Sequence, residues 1–290
     1  MLDLMFHPGS GDRPLALFIH GMGMDLRVWA SPSQARVLAG RYPLTILLGG
    51  NHQDLRNTFS DLIDHGYSVL AWSQGRPAGP IGAAVKELTH LIEEHRSFTG
   101  NGVVFICHSR GGLVARKFLE SAEIPVRGLV TFATPHRGTT MARWGTYLAP
   151  YASFLDQVLS GYRRKDTFPA FQRVLRFLGS TGLKELLPGS SFYRSLHDTR
   201  PEGCHCLSLG GTNPDLVRLR GLSLADLAER LFPERIMPEE LRRGCGDGMV
   251  AAFSSRLPYA DLHHDMPVNH AEILFDSVAR RIVSEFVMSL

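Results

Sequence analysis

Val103-Val104-Phe105-Ile106-Cys107-His108-Ser109-Arg110-Gly111-Gly112, followed at once by the helical pattern of Leu113 to Ser121, decides how this chain is read. The unbroken apolar run from Val103 to Cys107 predicts a strand covered on both faces. The glycines and the helical spacing after them predict a tight strand-to-helix turn. A serine on such a turn is forced into a strained backbone conformation that holds its hydroxyl above the sheet. Small residues two before and two after it let strand and helix approach; Gly111 fills one position, and Cys107 stands where a glycine is usual. The plainer alternative is a glycine-rich turn with an incidental serine.

Outward from this turn, Leu15 to His20, Leu44 to Leu48, Tyr67 to Trp72, Leu129 to Ala133 and Cys206 to Leu209 are similar short runs, and each predicts a strand. Between them Ile81, Val85, Leu88, Leu91 and Ile92 recur at helical spacing, and a last helix is expected to carry Ile273, Leu274, Val278, Ile282, Val283 and Phe286 on one stripe. Strands alternating with helices predict an α/β fold with a mostly parallel central sheet flanked by helices. From Arg137 to Cys204 no strand-like run occurs, so residues 137–204 are expected to form a helical cap inserted into a single domain spanning 1–290. In it Phe154, Leu155, Val158 and Leu159, and again Phe171, Val174, Leu175 and Leu178, give each helix one apolar side. A second irregular stretch, Asn213 to Gly246, is charged, with a helix expected over Leu224 to Leu231. In such sheets, insertions usually lie beyond the carboxyl ends of the strands, where ligands bind.

Composition bounds the partners. The 290 residues are 44% hydrophobic and 20% charged, enough for a full core. The formal charge of +3 is too small for a nucleic-acid footprint, and basic pairs such as Arg163-Arg164 read as solvated faces. No apolar run approaches the roughly 18 residues that span a bilayer, and Asp3, Pro8 and Gly9 interrupt the apolar start. The expectation is a cytoplasmic protein without a transmembrane segment or signal peptide. The 4 cysteines are too few for a disulfide framework. Cys204-His205-Cys206 with Cys245, and His263-His264-Asp265 with His270, contain metal-ligand types at no standard spacing, so no metal and no cofactor is expected.

Leu17-Phe18-Ile19-His20-Gly21-Met22-Gly23 reads as a strand entering a glycine-rich loop, whose backbone N–H groups are free to face developing negative charge. With a nucleophile at Ser109, the backbone N–H groups of Met22 and Arg110 are the expected oxyanion donors. Because these are backbone groups, truncating either side chain is expected to be tolerated.

With these residues in view, the chain resembles the α/β-hydrolase superfamily, and within it the bacterial lipase and esterase branch, over nearly its whole length. Thr134-Pro135-His136-Arg137-Gly138-Thr139 resembles the segment leaving the next strand in many lipases, and Leu187-Pro188-Gly189-Ser190-Ser191-Phe192 resembles part of their cap region. A serine needs a histidine to take its proton and a carboxylate to orient that imidazole. Asp247 in Gly246-Asp247-Gly248-Met249-Val250 resembles the acid loop of lipases, with Asp215 as a competing acid. His270, in Val268-Asn269-His270-Ala271-Glu272, stands where the family places the base, just before the last helix. His263 and His264 read as polar edge residues, and His20, His108 and His136 as shapers of loops.

The resemblance implies an ester hydrolase, of lipase or esterase kind, acting on small-molecule or lipid esters through Ser109, Asp247 and His270, with Phe154, Leu155, Val158, Phe171 and Val174 in an acyl pocket. A transient contact with a lipid interface would accompany a mobile lid; a fixed cap is the alternative. Thioesterase, amidase and acyltransferase chemistry use the same constellation, and a non-catalytic lipid-binding scaffold is the reading from another class.

Overall fold

The computed structural model describes residues 3–37, 42–48, 55–141, 143, 180–197, 199–216, 218–219, 222–231, 233, 235 and 237–290. Its sheet contains β1 (Leu4–His7), β2 (Leu15–Ile19), β3 (Val69–Trp72), β4 (Val103–His108), β5 (Val126–Phe132), β6 (His205–Gly211) and β7 (Leu262–Met266). The helices that matter below are α1 (Thr58–Asp64), α2 (Ile81–Glu94), α3 (Arg110–Leu119), α4 (Thr181–Glu185), α5 (Leu224–Leu231), α6 (Ala252–Ser255) and α7 (Ser277–Met288).

The apolar runs are continuous because both faces of the sheet are covered. Along β2, Leu15, Leu17 and Ile19 join one buried cluster with α2 and α3, while Ala16 and Phe18 join another with Trp29, Phe59 and the α7 residues Ala279, Val283 and Val287. Strand order is β1-β3-β2-β4-β5-β6-β7. Only β1 runs antiparallel to its neighbour. The chain leaves β2 for β3 on one side and comes back to β4 on the other. That reversal puts a topological switch point at the carboxyl ends of β2 and β4, the kind of place where parallel sheets bind ligands.

Several expectations hold in kind and shift in extent. The strand read as Leu129 to Ala133 is Val126–Phe132, and α5 coincides with the helix expected over Leu224 to Leu231. The last helix is divided: Ile273 and Leu274 lie on a 3₁₀ turn, and α7 begins afresh where Asp276 accepts from Val278 N and Ala279 N. Val278 is consequently exposed rather than part of the buried stripe.

Leu44–Leu48 is a correction, being a 3₁₀ helix rather than a strand. A short apolar run has no periodicity that separates strand from helix. Here β2 is already paired with β3 and β4, leaving no slot beside it. Leu44 and Leu48 instead bury themselves in the cluster on the α7 side. Strand β1 escaped the sequence reading because its residues are mostly exposed at the sheet edge.

The closeness of β2 and α3 is set by one residue. A Cβ on Gly111 would lie 2.5 Å from Ile19 O and 3.0 Å from His20 O, both backbone atoms. Alanine is favoured over glycine in a helix by about 1 kcal/mol, but overpacking against backbone costs about 3 kcal/mol, so the contact decides the sign. Gly111→Ala is expected to lower unfolding stability by about 2 kcal/mol, measured by urea denaturation. An unchanged midpoint would show that α3 can move away from β2.

Candidate active site

Ser109 stands between the last residue of β4 and the first of α3, with φ 52° and ψ −127°. This sparsely populated conformation costs about 1–3 kcal/mol and persists only where the surroundings enforce it. They do so here: Ser109 N donates to Phe132 O at 2.8 Å, and Thr134 Oγ1 donates to Ser109 O at 2.8 Å. Thr134 also explains Gly112, whose Cβ would fall 2.3 Å from Thr134 Oγ1.

The loop after β2 passes directly beside this turn. A Cβ on Gly21 would meet His108 Nδ1 at 2.8 Å and Ser109 Cβ at 3.1 Å. Neither Met22 N–H nor Arg110 N–H donates to any group among the described residues. Two unengaged amides, one at the N-terminus of α3 and one on the neighbouring loop, are what a developing oxyanion needs.

Asp247 sits in a tight turn that Gly248 makes possible with φ 93°. Its Oδ1 accepts from Met249 N at 2.9 Å and Val250 N at 2.7 Å, which fixes the carboxylate. Its Oδ2 is 2.8 Å from His270 Nδ1. A carboxylate only accepts, so Nδ1 carries the proton and Nε2 keeps a lone pair free for a substrate-side proton. The Ser109 hydroxyl and His270 are not hydrogen-bonded to one another in this structure, as is common before a substrate closes the site. What links their elements is His108: its Nε2–H donates to His270 O at 2.9 Å, and the two rings lie 4.8 Å apart.

Asp215, the competing acid, is engaged elsewhere. Its two carboxylate oxygens receive Arg243 Nη1 at 2.9 Å and Nη2 at 3.1 Å, and the same guanidinium reaches Asp226 on α5. His263 is bonded at both ring nitrogens: Nδ1 accepts from Ser208 Oγ at 2.8 Å, and Nε2–H donates to Asp265 Oδ1 at 3.1 Å. These are the same residue types in a row, but Ser208 is buried in the middle of β6 and has no strained turn to lift its hydroxyl. Cys204 and Cys206 hold their sulfurs 3.9 Å apart, both buried, and Cys245 is exposed. Among the described residues no group of three His, Cys, Asp or Glu side chains is arranged to hold a metal ion, and no helix is long and apolar enough to cross a membrane.

Burial explains the three remaining histidines. It pulls His20 down to about 4 and holds His108 and His136 well below the usual imidazole range, so all three are neutral at pH 7. Each shapes a loop: His20 Nδ1–H donates to Gly21 O at 2.8 Å, and His136 Nδ1 accepts from Arg116 at 3.3 Å while Nε2–H faces Thr131 Oγ1 at 3.1 Å.

Two residues escaped the sequence reading. Asn269 Oδ1 accepts from Ala271 N and Glu272 N, its side-chain amide donates to Leu47 O and Asp215 O, and its backbone N–H donates to Glu272 Oε2, pinning the loop that carries His270. Its Asn-x-x-Glu spacing is a reciprocal capping signal that could have revealed it. Gln74 touches both His20 and Arg110, with no sequence pattern to mark it. The Arg110 side chain is itself wholly buried, donating to Gln74 Oε1 and Gly79 O, so truncation would leave the buried Gln74 oxygen without its donor.

Of the proposed acyl pocket, Phe154, Leu155, Val158, Phe171 and Val174 lie outside the described residues. The described stretch 180–197 is fastened to the core. Leu183, Leu186 and Phe192 are buried in the cluster with α2 and α3, Glu185 accepts from Ile81 N at 2.8 Å, and Tyr193 donates to Pro135 O.

A family model described as a domain of unknown function (DUF7379) matches residues 78–199. No protein of curated function matches the sequence. Solved structures do match in shape. A lipase of Bacillus licheniformis in its mature form is 17% identical with a TM-score of 0.62, covering 98% of this chain and 97% of that one. A lipase-esterase related protein of Clostridium acetobutylicum is 12% identical, with a TM-score of 0.52 and full coverage of both chains (100% and 100%). A structure reported for carboxylesterases of Nitrososphaera gargenis is 14% identical, with a TM-score of 0.54, covering 99% of this chain and 94% of that one. At such identities the likeness shows a shared fold, and that fold is the α/β-hydrolase fold.

Proposed function

We propose that this chain is a serine hydrolase of carboxylic esters, of lipase or esterase kind. The observation that carries the reading is a strained serine at the switch point, flanked by two unengaged backbone N–H groups, with a buried Asp247–His270 pair on the adjoining loops. His270 Nε2 takes the Ser109 proton as Oγ attacks the ester carbonyl. The carbonyl oxygen becomes an oxyanion between the Met22 and Arg110 N–H groups. Collapse expels the alcohol, which leaves with the proton from His270. Water, deprotonated by the same imidazole, then attacks the acyl-Ser109 ester and releases the acid. Asp247 holds Nδ1–H throughout.

Within this reading the chain is one domain with a cap over 137–204, and an acyl chain lies against the apolar sides that include Phe154, Leu155, Val158, Phe171 and Val174. The anchoring of 180–197 supports a cap whose C-terminal part stays fixed. The names of the structural neighbours favour esters over thioesters, and a substrate panel tests this. A series of p-nitrophenyl esters from acetyl to dodecanoyl is expected to be hydrolysed best beyond acetyl, ahead of an acyl-CoA thioester and an anilide. Turnover of the thioester alone, or no fall in rate with Ser109→Ala, would overturn the reading.

A further inference from the structure

Gln74 follows the end of β3 and is buried behind the loop that carries Met22. Its backbone N–H donates to His20 Nε2 at 3.0 Å, and its side-chain amide donates to His20 O at 3.0 Å. Its Oε1 accepts from Arg110 Nη1 at 2.5 Å, and Arg110 Nη2 reaches on to Gly79 O at 2.7 Å. Thus one side chain grips the backbone just ahead of Gly21-Met22 and also the residue whose own N–H follows Ser109.

The chemistry of this cluster is unlike core packing. The Arg110 guanidinium is fully buried, its hydrogen-bond partners are neutral oxygens, and its Nε has no partner. A buried charge without a hydrogen-bonded counter-ion costs several kcal/mol, and an apolar residue of similar volume would be the more stable filling. His20 is fixed in one tautomer: with Nδ1–H given to Gly21 O, Nε2 can only accept, and it accepts from Gln74 N. Gly23 N donates to Pro77 O at 3.3 Å, so the loop is held on the β3 side at a second point.

We propose that Gln74 is a positioning residue for the oxyanion site: it sets the distance between the Met22 and Arg110 amides by bridging His20 and the Arg110 side chain. The inference rests on reading Ser109 as the nucleophile. Misplacing one such donor weakens stabilisation of the oxyanion, formed only during reaction, and leaves ground-state binding nearly untouched, so the loss falls on kcat rather than KM.

The test compares Gln74→Leu, which removes both side-chain bonds, with Gln74→Glu, which keeps an acceptor for Arg110 and loses the donor to His20 O. On p-nitrophenyl butyrate, Gln74→Leu is expected to lower kcat about tenfold or more, with KM changed less than about threefold. Amide hydrogen exchange over 20–23 is expected to speed up in both variants. A Gln74→Leu protein with kcat within about twofold of wild type, whatever its urea midpoint, would overturn the proposal; if it does not fold, Gln74→Glu is judged by the same readouts. If the wild-type chain hydrolyses no ester and Ser109 takes no fluorophosphonate, the functional reading fails by itself. The exchange arm then decides the clamp, and unchanged exchange over 20–23 would overturn it.

Discussion

Ser109→Ala, Asp247→Asn and His270→Ala are each expected to lower kcat on an accepted ester by about 10³- to 10⁶-fold, with double variants hardly worse than singles because the three act as one unit. Asp247 Oδ1 faces the Met249 and Val250 N–H groups, so the asparagine oxygen takes that place and its NH₂ is left pointing at His270 Nδ1. The imidazole must then accept at Nδ1 and protonate Nε2, which is the wrong tautomer for taking a proton from Ser109. Asp215→Asn is expected to act on stability instead, through the lost Arg243 pair. Steady-state kinetics beside urea denaturation separates the two. Near-full activity in Asp247→Asn together with loss in Asp215→Asn would transfer the acid role.

Acid is expected to destabilise the fold well above the carboxylate range. His20, His108 and His136 are buried as neutral imidazoles, with burial the leading cause in each case. Their folded pKa values lie below the unfolded value, so the unfolded chain binds more protons as pH falls. Stability is fully present above about pH 6.5 and is lost as pH drops toward the folded values, about 4 for His20. At pH 5 the contribution of His20 alone is a loss of about 2 kcal/mol, and the other two act in the same direction. Against a total stability of about 5–15 kcal/mol, this brings the molecule near unfolding. Urea midpoints at pH 7.5, 6 and 5 are expected to fall steadily; a midpoint unchanged down to pH 5 would show that these side chains are hydrated.

The strained turn at Ser109 was legible because strain leaves a trace in composition: only small residues fit beside it, and Gly111 and Gly112 show why. The alternation of strand and helix was legible because a sheet covered on both faces must be apolar on both. Leu44–Leu48 was misread because its fate depended on which sheet positions other strands had taken. Gln74 and Arg110 were invisible as a pair, 36 positions apart, since a lone glutamine after a strand has no periodic signature. Asp247 and Asp215 both follow a plausible context in sequence, and long-range partners distinguish them: Asp247 meets His270, whereas Asp215 meets Arg243.

The proposed chemistry makes Ser109 a nucleophile activated by His270. A fluorophosphonate probe tests it without knowledge of the substrate, since the phosphorus is attacked as the carbonyl would be and the adduct is located by peptide mass. One adduct is expected, on Ser109, formed at least about 100-fold more slowly in His270→Ala. A folded protein that leaves Ser109 unlabelled, or one that carries the adduct on another residue, would contradict it.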